Sequence, residues 1–424
     1  MVRYGRRCLV MVLASLMPTV ATAQQGAERL PETNIQDAIS LMMSFAERTG
    51  LNSARPPRRY LWTDAFAVCN FLALADATSD QQYTELALRL VDQVHHTLGR
   101  HRDDDPRSGW ISGLSEDEGE EHPTAGGLRI GKSLPERGPG ERFNDRLEWD
   151  RDGQYFHYLT KWTHALDQIS RSGGDPKFNR YARELAKTSY NAFTYLPFAS
   201  RGPRRMYWKM SIDLSRPLVP TMGQHDPLDG YITLVQLQST MKQLPEVAGG
   251  VPLETEIAQF VTMVESGDWA TSDPLGLGGL LTDAYRVQQL RQQGAPIKED
   301  LLGSLLSAAL EGLRQYAGES ELQMPPDYRL AFRELGLAIG LQAVEQMWQT
   351  TESRIGRSNR GTDIRALLMP ILKYVPIRTT IVAFWHDPKH RYARSWSEHR
   401  DINEVMLATS LLPDGFLLLA SPQR

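Results

Sequence analysis

Two cysteines in 424 residues, Cys8 and Cys69, exclude a disulfide scaffold. Charge of one sign is equally scarce. With 47 Lys and Arg against 51 Asp and Glu, the formal net charge of −4 gives no electrostatic footing for nucleic acid. No apolar run is long enough for the mature chain to span a bilayer as a helix. Neither H-E-x-x-H nor a paired C-x-x-C occurs, so no zinc site is supported. Strand signals are few. What is present is ordinary globular stock, 41% hydrophobic and 23% charged, which suffices for a large core and excludes a disordered chain.

Residues 1–23 read as a secretory address. Arg3, Arg6 and Arg7 form the positive end, Cys8–Val20 is a short apolar run, and Ala21-Thr22-Ala23 has the small-x-small cleavage pattern. The expectation is a periplasmic or secreted mature chain, 24–424, delivered by a Sec-type signal; Arg6-Arg7 also suits the twin-arginine route. Cleavage leaves Cys69 alone in the apolar stretch Phe66–Leu74, where a buried small hydrophobe is expected.

Helical periodicity fills the rest. Asp152–Ile169 is the clearest case, with Tyr155, Tyr158, Leu159, Trp162, Ala165, Leu166 and Ile169 at helical spacing. Similar buried helices are predicted at Trp62–Ala75, Leu228–Met241, Leu275–Leu290, Tyr328–Met347 and Ile402–Leu412. Amphipathic helices lie between them at Ile35–Arg48, Gln81–Leu98, Lys177–Thr194, Leu253–Val264, Lys298–Tyr316 and Asp363–Lys373, the last interrupted by Pro370. Six buried helices alternating with six half-exposed ones are satisfied by a closed ring of helical hairpins, buried helices inside and amphipathic ones outside. The fold class is therefore all-α, an (α/α)6 toroid forming one domain over 24–424.

Segments leading out of a buried helix are short. Those leading into one are long and rich in Trp, His, Asp and Glu, the longest being His101–Trp149. Long segments of this kind usually carry function. Of nine tryptophans, Trp62, Trp110, Trp149, Trp208, Trp269, Trp385 and Trp396 fall in or beside them. An indole at a cavity mouth suits the C–H face of a sugar, while about half of these rings are expected simply to plug the ring. Gly126–Ser133 matches the phosphate-loop pattern G-x-x-x-x-G-K-[ST]. It is preceded by Glu120-Glu121-His122-Pro123 and followed by Pro135, so it lacks the strand and the helix that phosphate binding needs. Arg129 and Lys132 in that stretch could still meet an anionic group.

Chemistry is expected from groups near the starts of the buried helices. Asp64 lies just inside the first, beside Trp62. Asp150 and Asp152 begin the second. His225-Asp226-Pro227 leads into the third, and Asp273 into the fourth. Arg333 and Glu334 sit about a turn inside the fifth, and Glu398 and His399 precede the sixth. Helix capping accounts for several of these aspartates taken singly. Glu334 differs, because a charge within the apolar run Leu330–Leu341 needs a partner or a wet cavity.

The alternating helices, with Trp149-Asp150-Arg151-Asp152-Gly153-Gln154-Tyr155, resemble the six-hairpin glycosidase-like superfamily. The N-acylglucosamine 2-epimerase group is an architectural relative. The resemblance implies carbohydrate chemistry and three readings. A glycoside hydrolase needs a proton donor and a second carboxylate. Glu334 is the expected acid, its pKa raised by the apolar run, with Asp150 or Asp152 as base or nucleophile and Asp64 and Asp226 in reserve. A sugar epimerase or isomerase needs two bases across a sugar carbon, here His225 and His399, oriented by Glu334 or Glu398. A non-catalytic glycan-binding protein would keep the ring without a working acid. Trp62, Arg129, Trp149, Tyr155, Arg333, Trp385 and Glu398 would line the sugar. The expected partner is a carbohydrate or glycoconjugate, with no nucleic acid, cofactor or metal.

Overall fold

A computed structural model describes residues 32–197, 202–244, 251–265, 267–352 and 360–419. The expected signal at 1–23 lies outside them. In chain order the helices are α1 (Glu32–Arg48), α2 (Leu61–Thr78), α3 (Gln81–Leu98), α4 (Glu116–Glu121), α5 (Asp145–Glu148), α6 (Phe156–Arg171), α7 (Lys177–Phe193), α8 (Asp226–Gln243), α9 (Glu254–Val264), α10 (Pro274–Gln292), α11 (Leu301–Gly318), α12 (Ala331–Glu352), α13 (Arg360–Leu372), α14 (Pro376–His386), α15 (Arg394–Glu398), α16 (Arg400–Leu411) and α17 (Asp414–Leu417). Five short strands accompany them: β1 (Gln154–Tyr155), β2 (Thr194–Tyr195), β3 (Arg205–Met206), β4 (Lys209–Met210) and β5 (Pro217–Val219).

Side-chain polarity separates two kinds of helix. α2 buries every residue from Leu61 to Phe71, and α8 every residue from Asp226 to Thr240. α3 instead buries one stripe, Tyr83, Leu86, Ala87, Leu90, Val91, Val94, His95 and Leu98. A helix buried all round belongs between layers, a striped one at the surface. Accordingly α2, α6, α8, α10, α12 and α16 pack each on the next, and α16 returns to α2, closing an inner ring. α1, α3, α7, α9 and α11 back onto that ring, and α13 and α14 share the sixth outer place. This is the predicted (α/α)6 toroid. Its one unpredicted long element is α14. Pro376 opens that helix, where a proline costs nothing, and its axis bends 46° from that of α13.

The inner ring is tightest between α10 and α12, where glycines let two backbones meet. A Cβ on Gly278 would stand 2.1 Å from the Gly336 carbonyl oxygen, and one on Gly340 would stand 2.6 Å from that of Gly278.

All six inner helices start at one end. Polar contacts link those starts in a circle: Tyr60 with Tyr158, Lys161 with Asp229, His225 with Trp269, Asp273 with Arg333, Phe332 with Asn403, and Asp401 with Arg58. This end is the mouth. Residues 413–419 close the other end. His164 donates to the Phe416 carbonyl, Gln168 to those of Gly415 and Leu418, and Gln289 to that of Leu417. Phe416 stacks on Phe66 at 4.2 Å, and Phe66 on Trp62 at 4.4 Å, so an aromatic column rises along α2 from the closed end. No single described helix is long and apolar enough to cross a membrane.

Candidate active site at the mouth of the ring

Two segments leading into inner helices meet above α6. β1 pairs antiparallel with β4, and β4 with β5. Buried Lys209 fastens them, its ammonium donating to the Glu148 carboxylate at 3.0 Å and to the Glu148 and Arg151 carbonyls at 2.8 Å each. A buried ammonium needs such a full set of acceptors. The result is a file of rings. Trp149, 48% exposed, stands edge-on to Trp208 at 5.1 Å. Trp208 lies 5.4 Å from Tyr155 and stacks over His157 at 6.2 Å. Tyr155 and His157 stack at 5.3 Å.

The file leads from solvent to Asp226. This residue opens α8 and is 5% exposed. Its Oδ1 lies 3.7 Å from Nδ1 of His157, and its buried Oδ2 has no hydrogen-bond partner; nor has that Nδ1. The turn at 220–224 lies over the carboxyl, since a Cβ on Gly223 would stand 2.5 Å from Oδ2. Burial, and then the nearby Asp229 carboxylate, push the Asp226 carboxyl up to about 8. Burial also pushes His157 down to about 4. At neutral pH the pair is thus an uncharged acid beside an uncharged imidazole.

One turn further along α8, Asp229 has the opposite character. Burial alone would raise it, but the Lys161 ammonium, 2.7 Å from Oδ1 and 2.9 Å from Oδ2, holds it below the usual carboxylate range. Below it, Arg286 donates to Gln236, Thr233 and Asp283. Burial and then Asp229 raise the Asp283 carboxyl to about 6. Two carboxyls on one helix, driven apart by their surroundings, are what acid–base chemistry at neutral pH requires.

The sequence-predicted residues do not all meet in one place. Asp226, Tyr155 and Trp149 belong to this cluster. His225 is beside it but turned away, its Nε2 donating to the Trp269 carbonyl at 2.9 Å. Burial lowers its pKa. At the far side of the mouth, His399 is exposed and edge-on to Phe332 at 5.6 Å, and Glu398 pairs with Arg394. Arg333 bridges to Asp273, which also caps α10 through the Gly276 N–H. Asp150 is exposed at the rim.

The others hold the fold. Asp152 is fully buried and accepts from Arg129, Arg102 and the backbone N–H groups of Gly131 and Gly153. Arg129 therefore serves this loop and does not face the aromatic file. The phosphate-like stretch beside it neither follows a strand nor opens a helix. Asp64 ties the start of α2, accepting from the Tyr60 N–H at 2.9 Å and from Arg59. Burial raises it to about 6. Trp62 is 6% exposed and caps the aromatic column. Glu334 is turned toward the outer layer. Arg329 grips it with bonds of 2.8 and 2.6 Å, and Trp385 of α14 donates to it at 2.8 Å. The partner that its apolar run demanded is an arginine, and Trp385 is a packing residue, 0% exposed.

His157, Lys161 and Asp229 were not singled out from the sequence, and Trp208 was named only among the seven tryptophans of the entry segments. The legible signal was Asp226 and Asp229 three apart at the start of a buried helix, with His157 and Lys161 four apart on the preceding inner one. Among the described residues no group of three His, Cys, Asp or Glu could hold a metal ion. A groove of 1170 Å³ lies elsewhere, along α3 and α7, lined by Asp92, His96, Glu120, Phe178 and Tyr181 among others.

No protein-family model and no curated protein matches the chain. Among solved structures it is similar to cellobiose 2-epimerase from Spirochaeta thermophila, at 12% identity over 90% of this chain and 100% of that one, with a TM-score of 0.42. It is also similar to an unsaturated glucuronyl hydrolase, at 13% identity over 89% of this chain and 95% of that one, with a TM-score of 0.35. Likeness of this degree carries no argument about chemistry; the toroid is read from the closed ring of contacts.

Proposed function

We propose that the chain is a carbohydrate-active enzyme, a glycoside hydrolase whose general acid is Asp226. The observation that carries the reading is that carboxyl, raised to about 8, with an unpartnered buried oxygen, at the end of a file of aromatic rings open to solvent at Trp149. Indole and phenol faces match the C–H faces of a pyranose. A sugar stacked along Trp149 and Trp208 would bring a glycosidic oxygen toward Asp226, which gives it a proton as the bond to the anomeric carbon breaks; water then takes the leaving group's place on that carbon, and the proton it loses restores Asp226. Asp229, kept ionised by Lys161, supplies the second carboxylate and the negative charge that stabilises the oxocarbenium-like transition state. Neutral His157 leaves the Asp226 proton in place until the substrate takes it.

The epimerase reading needs two facing histidine bases. His225 is spent on the Trp269 carbonyl, which favours hydrolysis. Export of a mature chain beginning at Gln24 is part of the proposal, and N-terminal sequencing of the exported protein tests it. Hydrolysis is tested with nitrophenyl glycosides and oligosaccharides, comparing the wild type with Asp226→Asn. Release of reducing sugar by the wild type, with kcat reduced ~10²–10⁴-fold in the variant, supports the reading. Full turnover by the variant, or no glycan bound or cleaved by the wild type, opposes it.

A further inference from the structure

Among the described residues near the mouth, Lys132 is a cation that makes no ion pair. Lys161 is paired with Asp229, and Lys209 with Glu148. Lys132 is half-buried, yet among the described residues no carboxylate is within ion-pair reach of it. Its backbone is held firmly. The preceding Gly131 N–H donates to Asp152 at 3.0 Å, and the Lys132 carbonyl accepts from Arg102 at 2.7 Å. The ammonium lies 5.4 Å from the centre of the Tyr60 ring. The Tyr60 hydroxyl shares a 2.7 Å hydrogen bond with that of Tyr158, whose ring is edge-on to His157 at 4.9 Å. From across the mouth His399 feels the same charge: loss of water where its otherwise exposed ring meets Phe332 lowers its pKa and Lys132 lowers it further, against the pull of Glu398. A partly shielded ammonium with no carboxylate beside it is available to pair with an anion on a ligand.

We propose that Lys132, with the Tyr60–Tyr158 hydroxyl pair, forms an anion subsite that selects a sugar carrying a negatively charged substituent, a carboxylate or a phosphate ester. The inference rests on the carbohydrate reading and adds the substrate class. A held backbone, a point charge with no carboxylate partner and a hydroxyl pair at the edge of the ring it lies over suit an oxyanion better than a neutral hydroxymethyl group. The subsite sits beside His157, so an anionic sugar would be anchored next to the Asp226 carboxyl.

The test is calorimetric titration of the full mature chain with glucuronate, glucose 6-phosphate, glucose and inorganic phosphate, repeated on Lys132→Met and Lys132→Arg. The expected result is that an anionic sugar binds at least about tenfold more tightly than glucose, that Lys132→Met removes this advantage, and that Lys132→Arg retains most of it. Glucuronate and glucose 6-phosphate separate a carboxylate from a phosphate preference. Glucose bound as tightly as glucuronate, unaffected by Lys132→Met, would overturn the subsite and leave the carbohydrate reading standing. Phosphate bound through Lys132 with no sugar bound would keep an anion site and overturn the carbohydrate reading. No binding of any of the four would overturn both.

Discussion

Asp167 and Asp226 are buried aspartates on neighbouring inner helices, and their surroundings are opposite. Asp167, toward the closed end, accepts from Arg171, Gln236, Thr240 and Asn179 at 2.7–3.0 Å. Nearby His164 has both ring nitrogens bonded. Asp226, at the mouth, has an oxygen with no partner and a histidine whose facing nitrogen has none. The same residue type in the same layer is locked at one end and left poised at the other. Buried polar groups are nearly always satisfied. Where the fold satisfies four contacts to one aspartate and leaves another unpartnered, the second is where chemistry is to be sought.

Breaking the comparison at each end should give different losses. The largest is expected at the mouth: Asp226→Asn should cut turnover ~10²–10⁴-fold while the protein stays folded, read by kinetics and circular dichroism together. At the closed end, Asp167→Ala should cost roughly 3–5 kcal/mol of stability, because Arg171 loses its counter-charge in the interior; denaturant unfolding measures it. Glu334→Gln belongs with Asp167. Weakening the grip of Arg329 should cost a smaller amount, on the order of 1–3 kcal/mol, with kcat per folded molecule unchanged. A collapse of kcat with full stability would return Glu334 to the role of acid. The smallest effect is expected at the rim, where Trp149→Ala should weaken sugar binding several-fold with little change in stability, on the order of 1 kcal/mol for a lost stacking face.

Much of the fold was legible because burial pattern and helix type correspond directly. Every predicted buried helix overlaps an inner one, and the alternation alone implied the ring. The site was legible only in part. Asp226, named only in reserve, and Trp149 were singled out because they sit at helix starts among aromatic residues. Glu334 misled for a physical reason: a charge in an apolar run does need a partner, but the sequence cannot show that Arg329, five residues earlier, curls back to supply it. Nor can it show which face of an all-buried helix looks inward, so Asp229 and Lys161 went unremarked. His157 carries no signal of its own in the sequence, and only the position of α8 gives its ring nitrogen an aspartate to face. Of the seven tryptophans near the long segments, Trp62, Trp110, Trp269, Trp385 and Trp396 are 0–6% exposed and plug the structure. Of the seven, Trp149 and Trp208 alone are not buried.

The central claim, that Asp226 is held protonated by its site, has a direct test that needs no substrate: unfolding free energies of the wild type and Asp226→Asn from pH 4 to pH 9. A carboxyl raised from 3.8 to about 8 in the folded state favours the unfolded chain as pH climbs between those values. The neutral amide is free of this penalty. The variant should therefore gain on the wild type steadily from about pH 4 and level off above about pH 8. The final advantage should be on the order of a few kcal/mol. A difference that does not change with pH, or a wild type that gains on the variant as pH rises, would mean that Asp226 is an ordinary ionised carboxylate and would contradict its assignment as the acid.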